Sequence, residues 1–145
     1  LIILRQIAED PRPKVLSSVD FVEKINVTQN KKLDRVYEFV MNNFSKPITL
    51  GELADVAHMN KTAFCKYFKD RTNKTCLQFV TEIRVNYAKR LLMEGGRQIA
   101  ETGYECGFNN VSNFNRQFKK LTGESPGFFQ KKFPSKFQLA NPVLD

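Results

Sequence analysis

Histidine and cysteine are scarce in this sequence, and their scarcity removes whole classes of chemistry. One His, His58, and three Cys, at positions 65, 76 and 106, lack the clustered donor spacing of a zinc site. The cysteines are odd in number, form no Cys-x-x-Cys pair and accompany no secretory apolar segment, so reduced thiols in a cytoplasm are expected rather than disulfides. Long apolar runs are missing as well: the longest clusters, Leu1–Leu4 and Phe39–Met41, fall far short of the ~18 residues that span a membrane. No Gly-rich phosphate loop and no Ser/His/Asp arrangement occurs, and the carboxylates Glu52, Asp55, Glu101 and Glu105 fall on the polar sides of short helices. A soluble, cytoplasmic protein that is no enzyme and holds neither metal nor cofactor is the resulting expectation.

What the sequence has is basic charge on a chain apolar enough to fold. Of its 145 residues, 41% are hydrophobic and 26% charged, the composition of one or two small globular units rather than of a disordered chain. Lys and Arg number 23 against 15 Asp and Glu, a net charge of +8, which favours a polyanionic partner such as nucleic acid or an anionic membrane surface. The excess is concentrated: from Ile48 onward there are fifteen basic and nine acidic residues, leaving six of the eight net charges there.

Hydrophobic spacing divides the chain into helices. Residues 1–30 hold an apolar start at Leu1–Ala8, a breaker at Asp10-Pro11-Arg12-Pro13 and a mixed polar stretch, read as a helix end plus linker. The chain opens at Leu1 rather than Met, which suggests a fragment of something longer. From Lys31, Leu33, Val36, Tyr37, Val40, Met41 and Phe44 form an amphipathic stripe closed by Ser45-Lys46-Pro47. Thr49-Leu50-Gly51-Glu52 has the capping-box form and opens a short second helix reaching His58-Met59-Asn60, after which Asn60 caps a third that buries Phe64, Tyr67 and Phe68. Thr75-Cys76-Leu77-Gln78 is another capping box, opening a long helix with Val80, Ile83, Tyr87 and Leu91 on one stripe, until Gly95-Gly96. Ile99–Cys106 and Val111–Leu121 read as the fifth and sixth helices, and Ser125-Pro126 caps a last one running to Phe133, before a tail at 134–145.

Two stretches repeat. Leu50, Ala54, Ala57 and Met59 match Ile99, Gly103, Cys106 and Phe108 at an offset of 49, while Phe64, Phe68, Lys69, Thr72 and Phe79 match Phe114, Phe118, Lys119, Thr122 and Phe129 at 50. Each copy is a short helix with a small residue at its centre, a turn, and a second helix with aromatics four apart on one face and polar or basic residues on the other. This is helix-turn-helix organisation, and the small residues Ala54 and Gly103 let two helices cross close to a tight turn. A generic helical-hairpin solenoid is the competing reading, but two copies are fewer than the ~3 repeats such arrays need.

The run Ile99-Ala100-Glu101, Cys106-Gly107-Phe108, Phe114-Asn115-Arg116-Gln117-Phe118-Lys119-Lys120 and Thr122-Gly123-Glu124-Ser125-Pro126 resembles the C-terminal signature of the arabinose-regulator (AraC/XylS) transcription factors, and Arg84, Ala88, Leu91 and Leu92 fit the linker helix of that family. The resemblance covers Lys31 to Phe133 and implies an all-α fold of about seven helices: two helix-turn-helix units, at about 49–73 and 98–122, joined by a long linker helix. It also implies a sequence-specific transcriptional regulator bound to double-stranded promoter DNA, with RNA polymerase a further partner. Residues 1–30 would then be the end of an N-terminal domain that senses a small-molecule effector, plus its linker. The sequence departs from the family pattern at Thr102-Gly103, in place of an apolar-Ala pair, and at Arg97-Gln98, where a good Ser cap is usual, so the fifth helix is expected to be less stable than the second.

By the resemblance, Thr62, Cys65 and Lys66 in the first copy and Ser112, Asn113, Asn115 and Arg116 in the second fall at base-facing positions. The chemistry suits them: a guanidinium fork can pair with guanine O6 and N7, and a carboxamide with adenine N6 and N7. Lys61, Lys69, Lys119 and Lys120 are placed to meet phosphates, with Thr49 and Asn110 adding donors near helix starts. Bland readings stand beside these. Arg116 could form a surface ion pair, Asn113 and Asn115 could be plain surface polarity, and Cys65 could be an apolar contact or a redox sensor. Phe64, Phe68, Phe114, Phe118, Phe128 and Phe129 could stack on single-stranded bases, although their spacing points to core, as does the placement of Cys76 and Cys106. His58 reads as a capping or packing group. An alkylation-repair enzyme carrying this domain would need a nucleophilic Cys in a Pro-Cys-His-Arg-like context, which none of the three has, and a protein-interaction module that has lost DNA binding is the remaining alternative.

Overall fold

In the computed structural model, residues 20–134 are described, with side chains from Lys31 onward, and among them there are seven helices and no strand. They are α1 (Asp20–Asn43), α2 (Leu50–Val56), α3 (Lys61–Thr72), α4 (Cys76–Met93), α5 (Ile99–Glu105), α6 (Val111–Thr122) and α7 (Pro126–Gln130). Five of them start where a short polar side chain accepts an otherwise orphaned backbone amide: Thr49, Asn60, Thr75, Asn110 and Ser125. Thr49 and Thr75 form complete capping boxes with Glu52 and Gln78. Gln98, at the start of α5, makes no side-chain cap.

The repeat extends into the hydrogen bonding. In the turn after α2, Met59 N–H donates to Ala54 O and His58 N–H to Asp55 O; after α5, Phe108 N–H donates to Gly103 O and Gly107 N–H to Tyr104 O. Residues 58 and 107 are both left-handed, with φ of 58° and 106°. After α3 and α6 the Thr72 and Thr122 hydroxyls each donate to a carbonyl four residues back at 2.8 Å and accept the amide two residues on at 3.3 Å. The left-handed residues Asn73 and Gly123 then close each helix, their amides donating to Lys69 O and Lys119 O.

Two cores result, and α4 serves both. The first gathers Val36, Val40, Leu53, Ala54, Ala57, Phe64 and Phe68 with Cys76 and Val80 from the start of α4. The second gathers Cys106, Phe108, Phe114 and Phe118 with Val85, Ala88, Leu91 and Leu92 from its remainder. In the second unit the small residue is required by its aromatic neighbour: a Cβ on Gly103 would lie 2.7 Å from Cδ2 of Phe114.

Several expectations need correction. The first helix begins at Asp20 rather than Lys31, because the polar stretch taken as linker contains neither Pro nor Gly between Asp20 and Asn30. The last helix ends at Gln130 rather than Phe133, and the chain continues to Phe133 in single turns. Tyr67 is half-buried. Phe128 is 57% exposed beneath the Lys132 ammonium, since its neighbour Phe129 takes the place that Phe79 holds in the first unit, and adjacent helical residues point ~100° apart. The stripe read along α4 holds but is too narrow: Val80 and Leu91 are buried and Ile83 and Tyr87 half-buried, and Val85, Ala88 and Leu92 beside it are buried as well, because the second core wraps further round the helix. The helix end at Leu1–Ala8, the breaker at 10–13 and the tail beyond Pro134 lie outside the described residues.

Gly103→Ala gains ~0.5–1 kcal/mol of helix propensity but overpacks against Phe114 at a cost of ~1–3 kcal/mol, so the variant should be destabilised on balance in denaturant unfolding. Burial raises the Cys76 thiol above its usual range and pushes Cys106 up to about 12, whereas Cys65 is exposed on α3. Brief alkylation of the native protein at neutral pH should therefore modify Cys65 and leave the other two thiols intact, as read by intact and peptide mass spectrometry.

Candidate nucleic-acid interface

Helices α3 and α6 bury the same face and expose the same face. Phe64 and Phe68, and at an offset of 50 Phe114 and Phe118, are fully buried, so the opposite side of each helix must face solvent. That side carries Thr62, Cys65, Lys66 and Lys69 on α3 and Ser112, Asn115, Arg116 and Lys119 on α6, all exposed and spaced i, i+3, i+4, i+7. The short polar side chains lie in the N-terminal half of each helix and the lysines toward its end. A helix with this layout can enter a major groove, its forward residues at the base edges and its flanks beside phosphates.

The neighbours of these side chains differ between the two units. Arg116 donates from Nη2 to Asn113 Oδ1 at 2.6 Å, and among the described residues it has no ion pair. Asn113 is half-buried, its backbone amide held by Asn110 Oδ1 at 2.7 Å, so cap, Asn113 and Arg116 form one connected chain. The equivalent of Arg116 in α3, Lys66, is instead paired with Asp70 at 3.1 Å, both side chains largely exposed. Such a pair is worth only ~0.3–0.5 kcal/mol and leaves the ammonium free to swing.

The candidate phosphate contacts fall into two groups. Lys61 lies across the start of α2, where a Cβ on Gly51 would be 3.3 Å from its Cε and 3.9 Å from the Thr49 hydroxyl. Thr49 is exposed, but its hydroxyl donates to the Glu52 carboxylate at 3.0 Å and accepts the Glu52 amide at 3.1 Å, so meeting a phosphate requires it to leave Glu52. Lys69, Lys119 and Lys120 are exposed in the last turns of α3 and α6. Asn110 is exposed, and its carboxamide oxygen is committed to the cap while the NH2 group remains a donor. Asn60 occupies the same position in the first unit, accepting the Ala63 amide at 2.8 Å. Sequence reasoning assigned Asn60 only as a cap; the offset of 50 that pairs it with Asn110 carried the signal.

The structure reports on the other sequence readings too. Cys65 is exposed while Cys76 and Cys106 are buried. His58 is an exposed turn residue. Five of the six aromatic residues weighed as stacking platforms, Phe128 excepted, are buried or half-buried in the two cores. Among the described residues no cluster of His, Cys, Asp or Glu could hold a metal, and no helix is long and apolar enough to cross a membrane.

Comparison with known proteins agrees with this geometry. The family described as "Helix-turn-helix domain" matches residues 53–132. An uncharacterized HTH-type transcriptional regulator in the cgkA 5′ region of Pseudoalteromonas carrageenovora is 35% identical over 114 residues, covering 77% of this chain and 64% of that protein. The bifunctional transcriptional activator/DNA repair enzyme AdaA of Bacillus subtilis is 29% identical, covering 68% of this chain and 47% of the relative. Among solved structures, a probable AraC family transcriptional regulator from Rhodopseudomonas palustris superposes with a TM-score of 0.67 at 23% identity, covering 72% of this chain and 98% of that one. The DNA-binding domain of AdpA, solved in complex with a target DNA, gives 0.65 at 23% identity, covering 78% of this chain and 98% of that one. The chain thus spans less than two thirds of the length of these curated relatives. With two helix-turn-helix units on one linker helix and a family match over more than half its length, the chain belongs to the helix-turn-helix domain family of AraC type.

Proposed function

We propose that the chain reads double-stranded promoter DNA with α3 and α6 in two successive major-groove segments about one turn, ~34 Å, apart. The observation that carries this reading is the matched outward stripe on the two helices, capped alike and backed by the same buried Phe pair. Thr62, Cys65 and Lys66 are assigned to base edges in one segment and Ser112, Asn113, Asn115 and Arg116 to those in the other. Lys61, Lys69, Lys119, Lys120, Asn110 and, once released from Glu52, Thr49 are assigned to phosphates. Both reading helices belong to one chain, so one monomer suffices for an asymmetric site.

Wider roles are part of the same proposal. Regulation by a small-molecule effector is assigned to sequence outside this chain, RNA polymerase is the downstream partner, and the protein works in the cytoplasm. A regulatory rather than enzymatic role is favoured because the exposed Cys65 sits on the outward face of α3 between Phe64 and Lys66, a context unlike that of a repair nucleophile.

Selection of bound sites from random duplex DNA tests the reading: an asymmetric bipartite motif is expected, and protection confined to about five base pairs would contradict it. Arg116→Ala should cost ~1–3 kcal/mol at the selected site and relax preference at one base position, whereas a purely structural Arg116 would lower stability and leave every position unchanged. Arg116→Lys keeps the charge without the fork, so general affinity should survive while base preference falls. Lys119→Ala should weaken all sequences alike and lower the salt slope by about one unit; a loss restricted to the selected site would refute the phosphate assignment.

A further inference from the structure

The first unit and the second unit meet beside the middle of α4. Phe44, just past the end of α1, packs with the first core, and its ring lies 5.0 Å from that of Tyr87, which packs with the second. Between the residues that α4 gives to the two cores stands Arg84. Its Nε donates to Phe44 O at 2.8 Å and its Nη2 to Lys46 O at 3.0 Å, so one planar fork holds two carbonyls of the segment that leaves α1. The turn of the second unit packs against the first of these bonds: a Cβ on Gly107 would meet Phe44 O and come within 2.7 Å of Arg84 Nε.

Two observations separate this junction from ordinary packing. Residue 58, the repeat counterpart of Gly107, also has a positive φ and the same turn hydrogen bonds, yet is His at φ 58° where Gly107 is opened to 106°. A turn of this kind thus admits a side chain near φ 58°, at a cost of ~1–2 kcal/mol, whereas the glycine at 107 answers both to its wider φ and to the close approach of Phe44 and Arg84. Arg84 is also half-buried without a carboxylate partner among the described residues. Desolvation lowers its pKa, and the two carbonyls take the place of water around the charge.

We infer that Arg84 is a positioning residue for DNA reading: by tying the end of α1 to α4 where the turn before α6 packs against it, it fixes the separation and angle of α3 and α6 and thereby the permitted spacing of the two DNA segments. The inference rests on the two-segment reading proposed above. A one-base-pair insertion moves the second segment by ~3.4 Å and turns it by about 34–36°. A rigid pair of helices cannot follow, whereas a pair free to rock on α4 can. A lysine cannot reproduce the fork that holds both carbonyls.

The test uses the whole chain and the site selected from random duplexes, together with versions lengthened or shortened by one base pair between the segments. The unaltered protein should bind the shifted sites at least about tenfold more weakly than the selected one, the scale of a lost base contact. Arg84→Lys and Gly107→Ala should compress that ratio to about threefold or less, with the salt slope on nonspecific DNA unchanged. A second measurement avoids DNA: spin labels on the exposed native Cys65 and on Tyr104→Cys, also exposed, should give a narrow distance distribution that broadens in both variants and in Arg84→Met. Folded variants that keep the full spacing penalty and an unbroadened distribution would overturn the inference, as would equal losses at every spacing. Selection that yields no bipartite motif would instead sink the two-segment reading, and the label distances would still decide whether Arg84 holds the two units in place.

Discussion

Helix α4 contributes buried side chains to two separate cores, and the arrangement of the other helices follows from that shared use. Cys76 and Val80 belong to one core and Val85, Ala88, Leu91 and Leu92 to the other. At 3.6 residues per turn, Val85 lies ~140° around the axis from Val80 while Leu91 returns to within ~20° of it, so the second core takes a wider arc of the rod than the first. The buried residues of α4 therefore cover a broad arc, and Gln78, Asn86 and Arg90 share what is left for solvent. Its residues at the crossover must satisfy both neighbours, and Arg84 does so by pointing its charge at backbone carbonyls rather than at water.

The two units share a backbone plan but not a chemistry. α6 carries Arg116, Lys119 and Lys120 and no acidic residue, whereas α3 sets Asp70 beside Lys66. At the other end of each unit the asymmetry reverses, because α2 has a complete capping box and Lys61 lying over its first turn, while α5 starts from the uncapped Gln98. The segment before α5 is held by tertiary contacts rather than by a cap: Gln130 donates to Arg97 O at 2.8 Å, and the Arg97 guanidinium bonds Glu105 at 2.9 Å. Within the proposed function, the second unit leans on charge and fork chemistry at its reading helix, and the first leans on the firmness of its entry helix.

The helices were legible wherever local chemistry decides them. Thr49, Asn60, Thr75, Asn110 and Ser125 mark their helix starts because a short polar side chain either can or cannot reach an amide three residues on, a fact independent of the rest of the chain. The offset repeat was legible for the same reason, and it placed the outward stripes of α3 and α6 correctly. What escaped were features set by distant packing. The exposure of Phe128 depends on Phe129 having taken the core position, the breadth of the buried arc of α4 on where the second core lies, and the reach of α1 back to Asp20 on a stretch with no breaker and a weak apolar pattern. The bonds from Arg84 to Phe44 and Lys46 span 40 and 38 residues, beyond any periodicity.

The 2.6 Å bond between Arg116 and Asn113 joins two positions that would each be counted as an independent letter of a recognition code. The Asn110 cap holds the backbone amide of residue 113, and the Asn113 side chain in turn holds Arg116, so a change at 110 or 113 alters how Arg116 is presented. Substitutions there will be epistatic: the outcome of replacing Arg116 depends on whether residue 113 still offers an acceptor. Within the proposed function, replacements at 113 and 116 are therefore to be read as a pair, while those at Ser112 and Asn115, outside the bonded trio, act singly.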